Sequence, residues 1–404
     1  MSVRKARAAA IASAIVLGAS AMLAPSAGAA TKTVIVWAGS DKAPGVIAAI
    51  KGYKAVNVKV IVHDEGKIRD DLKTIAAKDA PDVIVGTHDW VGELSSNGSI
   101  IKLSLPAPVK KQFSANSIGA WSYNGSLFGM PLSVEAIAWL QNIALVGDKC
   151  FPTLDAFLAK ANSLPELTTP IQVGNDSYHF FPMLTGLGGY VFGKKPNGAL
   201  DAGNVGLDTQ ALLKNSTIID GWQGSGLFQN YLGNYDGLTG LYGTGKAAAW
   251  ITGPWNTGAV KDMESKNGIK TKFCTFPAIV PGIKSVPFSG VKGLMVTKFA
   301  AQHGVAAQAK TLVTSFMSSV KSQNTYGKAV QANPANLKAK NADPVLSGFG
   351  VTAANAIPMP NIPEMAAVWG AMSDAWAKAL KKVDPTKAKT AFLQAAGNIR
   401  ESIG

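Results

Sequence analysis

Within sixty residues of position 31, three apolar strand patterns alternate with two helical stretches, and few folds accept that order. The run TVIVW at 33–37 reads as a buried strand and is broken by Ala38, Gly39 and Ser40. A helical stretch follows at 45–54, then a second strand in which Val56, Val58, Val60 and Val62 alternate. A polar helix over 67–78 leads through Ala80, Pro81 and Asp82 into a third strand at 83–85. Strands spaced by helices at this pace predict a parallel sheet in an α/β fold. Ligands of such sheets collect at the carboxyl ends of the strands. That rule places Asp41 and Lys42, just past Trp37, on one rim with Thr87, Asp89 and Trp90, just past Val85.

The first thirty residues read as an export signal and stand outside the fold. Arg4, Lys5 and Arg7 precede sixteen apolar or small residues at 8–23, and Ala27-Gly28-Ala29 suits a signal peptidase. Sixteen residues fall short of the ~20 that span a bilayer as a helix. Cleavage is expected after Ala29 or Ala30, and with no cysteine near the cut no lipid anchor is expected there. A product in the periplasm or outside the cell follows. About 374 residues remain, more than one hydrophobic core usually serves, so two domains are expected.

The chain has 39 Lys and Arg against 25 Asp and Glu, a formal charge of +14, and cleavage of the three leader cations lowers it to +11. Its lysines are scattered singly or in pairs such as Lys110–Lys111 and Lys381–Lys382. Nucleic-acid binders concentrate their basic residues on one face, so no nucleic-acid partner is expected. Cys150 and Cys274 lie 124 residues apart; an exported chain can join them in one disulfide or bury two free thiols. His63, His88, His179 and His303 show no ligand spacing with either cysteine, so neither a metal nor a cofactor is expected.

A second segment, about 139–288, has its own strand patterns at 170–173 and 247–251 and helices at 154–161 and 237–242. From Gly293 an apolar strand at 294–296 and a long helix at 306–321 resume, and the last hundred residues read as largely helical. No low-complexity linker separates the halves, which suits several short crossings and a hinge. Near the end, Asn361 is expected to N-cap a helix with Pro363 in its first turn and Glu364 closing a capping box. Apolar residues then recur at Met365, Val368, Trp369, Met372, Trp376 and Leu380, an amphipathic stripe.

Four blocks, in this order and spacing, resemble the maltose/maltodextrin-binding proteins, extracellular solute-binding proteins of sugar ABC importers. They are VIVW at 34–37 through Asp41 and Lys42; APDVI at 80–84 through His88 and Asp89; YNG at 123–125 through MPLSVEA at 130–136; and MPNIPEM at 359–365 through Trp369. GPW at 253–255 and the stretch 176–190 add to them. The resemblance implies a two-lobed periplasmic-binding-protein type II fold, each lobe a mixed, mainly parallel sheet flanked by helices. One lobe would hold 31–134 with 291–338, the other 138–287 with 342–404, with hinge crossings near 134–140, 288–293 and 338–342. It also implies a monomer that delivers an oligosaccharide to membrane permease subunits and catalyses nothing.

Carried over residue by residue, Asp41, Lys42, Asp89 and Glu135 would hydrogen-bond sugar hydroxyls, and Tyr178, Trp255 and Trp369 would cover pyranose faces. Charged groups suit hydroxyls, and flat rings suit the C–H faces of a sugar. Asp176 stands where the family has a glutamate, and His179 where an aromatic ring is expected. The same residues have structural alternatives: Asp41 and Asp89 as helix caps, Glu135 in an ion pair, Trp255 and Trp369 as core.

The pocket positions also depart from the family. Gly39 replaces an amide, Gly86 a tryptophan, Trp90 an arginine, and Gly370 and Ser373 a tyrosine and an arginine. Ile68 and Arg69 stand where two acids are usual, with Asp70 and Asp71 one step on. Trp90 is the expected substitute for the plane lost at Gly86. Two other functions compete: the same fold holding a cation such as a polyamine between its carboxylates, and a secreted glycoside hydrolase using Glu135 with Asp89 or Asp41.

Overall fold

A computed structural model describes residues 32–404 apart from 175, 224–226, 228–237, 341, 354 and 382. The export signal expected at 1–30 lies outside the described residues. The strands that position the site are β1 (Thr33–Ala38), β2 (Asn57–Val62), β3 (Val83–Thr87), β4 (Gly129–Ala136), β5 (Ala138–Asn142), β6 (Thr169–Val173), β7 (Ala247–Thr252), β8 (Thr271–Cys274), β9 (Phe288–Val296), β10 (Asn333–Pro334) and β11 (Ile357–Pro358). Four helices matter below: α1 (Ala43–Ile50), α2 (Glu65–Thr74), α3 (Ser177–Gly186) and α4 (Ala366–Leu380).

The first sheet runs β10-β4-β9-β3-β1-β2, with β11 added at the start of β9; the second runs β8-β5-β7-β6. Each is mixed, but parallel pairing is less dominant than expected. β1 pairs β2 and β3 in parallel because helical crossovers return the chain to the same end. β9 enters antiparallel to both β3 and β4, and β5 antiparallel to both β7 and β8. The reason is connectivity. β4 and β5 are separated by Ile137 alone and belong to different sheets, so a direct crossing replaces a helical one.

The central strands of both sheets are buried on two faces, and their side chains divide between two cores. Val34, Val36, Val83, Val85, Leu132 and Leu294 share one core of the first lobe, while Trp37, Ile84, Trp121 and Met295 share the core on its other face. In the second lobe Trp139, Phe180 and Trp376 lie on one side, and Ala138, Leu140 and Trp250 on the other. β9 serves both lobes: Phe288 at its start packs in the second, Leu294 near its end in the first.

Several local boundaries move. α2 starts at Glu65 because the Asp64 carboxylate accepts the Gly66 N–H, and it ends at Thr74 where Ile75 turns extended. The long helix expected at 306–321 is two. Ser319 adopts an extended backbone, takes the Ser322 N–H on its hydroxyl, and begins a new helix, Val320–Val330. Asn361 caps nothing. α4 is preceded by a 3-10 turn at Pro363–Met365, and the Asn361 amide instead donates to the carbonyls of Gly119, Ala120 and Ser122 in the first lobe. The carbonyls closing the helix Ala115–Ala120 need donors, which an amide supplies.

Cys150 and Cys274 are joined in a disulfide, with Cα atoms 5.7 Å apart. Among the described residues no helix is long and apolar enough to cross a membrane, and no three His, Cys, Asp or Glu side chains gather as a metal site.

Candidate ligand-binding cleft

A cleft of about 550 Å³ lies between the lobes, at the carboxyl ends of β1, β3 and β7. Eight of the ten residues expected from sequence line it. Asp41 and Lys42 follow β1, Asp89 and Trp90 follow β3, and Glu135 lies on β4. Tyr178 opens α3, Trp255 follows β7, and Trp369 lies in the first turn of α4.

Asp176 and His179 do not line it. Asp176 is the N-cap of α3: its carboxylate accepts the His179 backbone N–H at 3.0 Å and lies 2.7 Å from His179 Nδ1. A helix start needs such an acceptor, and that need accounts for the aspartate. The His179 ring meets Trp255 and Tyr178 edge-on at 5.8 Å and so backs the two lining rings.

Sequence reasoning missed Glu65, Lys292 and Met359, which also line the cleft. Glu65 supplies the acid sought at 68–71, one turn earlier on α2. Ile68 is fully buried, Arg69 and Asp70 pair with each other, and Asp71 lies 3.2 Å from His63. The available signal for Lys292 was a lone charge in the apolar run of β9.

Charges alternate along the floor. Lys42 Nζ lies 3.2 Å from Asp41 and 3.6 Å from Glu135; Lys292 Nζ lies 3.8 Å from Glu135 and contacts Glu65. Burial pulls the Lys42 ammonium down most strongly of any single influence, but Glu135, Tyr326, Asp41 and Glu65 outweigh it and hold it above the usual lysine range. Burial likewise opposes the charge on Lys292, and Glu65 and Glu135 prevail. The Asp89 carboxyl is pushed up by burial, against the pull of Lys292 and of the Trp369 hydrogen bond.

The residue before Asp89 is anchored on both ring nitrogens. The buried His88 ring accepts the Val291 N–H on Nδ1 (3.1 Å) and faces the Met359 carbonyl through Nε2 (3.0 Å), an arrangement that suits a neutral imidazole donating there. Burial pushes that ring's pKa down to about 4. Asp89 Oδ2 accepts the Trp369 indole N–H at 3.1 Å, joining the lobes, while its Oδ1 has no hydrogen-bond partner among the described residues. Nor has the buried Tyr178 hydroxyl. Two buried acceptors left open on opposite walls suit a ligand that offers hydroxyls.

The flat walls are built on glycine. A Cβ on Gly86 would come within 2.4 Å of the Trp90 ring, and one on Gly253 within 2.3 Å of Trp255. Trp90 therefore lies across the space a side chain at 86 would fill, as expected of a substituted plane. Gly39 instead borders acids, since a Cβ there would sit 2.9 Å from Asp41 Oδ1 and 3.1 Å from the Glu65 carboxylate. Ser373 joins helices, its hydroxyl 2.9 Å from that of Ser177, and Gly370 faces open space.

Residues 47–353 match the family of bacterial extracellular solute-binding proteins. The chain belongs to that family. Among its relatives, a galactooligosaccharide-binding protein of Bacillus subtilis (strain 168) is 27% identical over 374 residues, 88% of this chain and 86% of the relative. A maltodextrin-binding protein of the same organism is 29% identical, covering 86% and 84%. The fold is shared with a Thermus thermophilus maltotriose-binding protein solved with maltotriose, at a TM-score of 0.78 and 24% identity over 92% of this chain and all of that one. This solute-binding protein thus has the two-lobed periplasmic-binding-protein fold, with the cleft between its lobes.

Proposed function

We propose that this solute-binding protein captures an uncharged oligosaccharide of the maltodextrin or galactooligosaccharide kind and delivers it to the permease of an ABC importer. One observation carries the reading: both lobes contribute tryptophan faces to a cleft whose floor is lined with carboxylates. Asp41, Asp89, Glu135 and the newly found Glu65 accept hydroxyl protons, Lys42 and Lys292 donate, and Trp90, Trp255, Trp369 and Tyr178 cover C–H faces. Because both lobes supply partners, sugar stabilises the closed arrangement, which the permease then reads. The names of the two Bacillus relatives support a glycan over a polyamine. No chemical step is assigned to the carboxylates.

Calorimetric titration against maltotriose, maltotetraose, galactotriose and spermidine tests this. A saturable heat with at least one glycan and none with spermidine is expected. Heat with spermidine alone would overturn the sugar reading, and new reducing ends appearing in maltohexaose would reopen hydrolysis.

The working form is proposed to be an exported monomer without lipid. Mass spectrometry of protein secreted from a bacterial host should give a chain beginning at Ala30 or Thr31 with no added acyl mass.

Gly86→Ala tests the tryptophan wall. Its methyl group would force Trp90 aside, so glycan affinity should fall about tenfold and stability by ~1–3 kcal/mol. Unchanged tryptophan fluorescence and affinity would remove Trp90 from the wall.

A further inference from the structure

Two lysines lie on the cleft floor, yet neither presents an unengaged charge. Lys42 sits between Asp41 and Glu135, and Lys292 between Glu135 and Glu65. Along the floor the order is acid, base, acid, base, acid, three carboxylates against two ammoniums. The lysine side chains are 4% and 12% exposed, so solvent does little to soften the two ammonium charges. A hydroxyl finds spare carboxylate lone pairs here. An anion finds a surplus negative charge and cations that already have partners.

Glu65 makes the surplus, and Gly39 leaves space beside it: a Cβ at 39 would stand 2.9 Å from Asp41 Oδ1 and 3.1 Å from both the Glu65 carboxylate and its Cβ. Its side chain opens α2, reaches into the cleft and touches the Lys292 ammonium more closely than Glu135 does. Without Glu65, Lys292 would keep one carboxylate at 3.8 Å and face the cleft.

We propose that Glu65, beside Gly39 on the floor, is a specificity-determining residue that confines the cleft to uncharged glycans by occupying Lys292. The proposal rests on the oligosaccharide reading above. It adds an element that works by exclusion, as selective sites commonly do.

The test compares wild type, Glu65→Gln and Glu65→Gln/Lys292→Met. Each is titrated with maltotriose or galactotriose, whichever wild type binds more tightly, and with that sugar carrying one carboxylate at C1 or at C6 of a single ring. Wild type should bind the neutral sugar at least about tenfold more tightly than any acidic form. Glu65→Gln should raise the acidic-to-neutral affinity ratio about tenfold for at least one derivative, with the gain shrinking as salt rises. The double variant should lose that gain. Should Glu65→Gln fail to fold, Glu65→Ser, a small polar residue suited to a first helical turn, replaces it.

Equal wild-type binding of neutral and acidic sugars overturns the proposal, as does a ratio unmoved in Glu65→Gln or a gain that survives the loss of Lys292. These outcomes leave the oligosaccharide reading standing while wild type binds the neutral sugar. Wild type that binds no saccharide overturns both.

Discussion

Glu135→Ala should cost this protein about 3 kcal/mol of stability and abolish measurable glycan binding. The Glu135 side chain is 6% exposed and lies between two buried ammoniums, 3.6 Å from Lys42 and 3.8 Å from Lys292. Removing one partner from a buried charge pair costs ~3–5 kcal/mol, because the remaining charge is left uncompensated. Asp41 and Glu65 still serve the lysines, which sets the expectation at the lower end. Urea unfolding followed by far-UV circular dichroism would show a lower midpoint with an unchanged slope. Glu135→Gln keeps the shape and should lose less stability but nearly as much affinity. An unaltered midpoint in Glu135→Ala would show that the floor does not depend on this carboxylate.

Breaking the disulfide should have a comparable effect on stability and little on binding. Cys150 and Cys274 close a loop of 124 residues that contains much of the second lobe. In the chain-entropy account a loop of that length is worth about 5 kcal/mol. Neither cysteine lines the cleft, so glycan affinity in Cys150→Ser should stay within roughly threefold of wild type. Thermal unfolding with and without reductant checks both halves of the claim. Reductant should lower the wild-type midpoint and leave that of Cys150→Ser where it was. A wild-type midpoint indifferent to reductant would overturn the stability claim.

What could be read beforehand was whatever a period or a strand end controls. β1, β2 and β3 show alternation and apolar runs, so their order was legible, and the rim residues Asp41, Lys42, Asp89 and Trp90 came with it. Glu135, Tyr178, Trp255 and Trp369 were found through resemblance, since nothing in their local sequence separates a binding tryptophan from a core one. Glu65 was hidden because the acid on α2 moved by a turn, and sequence offered only the neighbouring acids at 70 and 71. Lys292 was hidden because strand pairing, invisible in a linear sequence, brings β9 beside β4. Asp176 misled for the opposite reason: one carboxylate can serve a helix cap or a sugar, and only the fold shows which. Asn361 did so too, because its amide found distant carbonyls in place of the helix start beside it.

β9 begins among the side chains of the second lobe and ends among those of the first, and β4 runs through Ile137 directly into the other sheet. Glu135 sits on one of these crossing strands beside Gly290 on the other, and Lys292 is two residues further along. The groups proposed to grip the ligand are therefore built into the strands that join the lobes. On the proposed hinge, a force applied to either one acts at the strands about which the lobes would turn, with almost no lever arm between. Such a joint needs no chain of intermediaries to report that its cleft is filled. It also cannot be loosened for easier motion without altering what it holds.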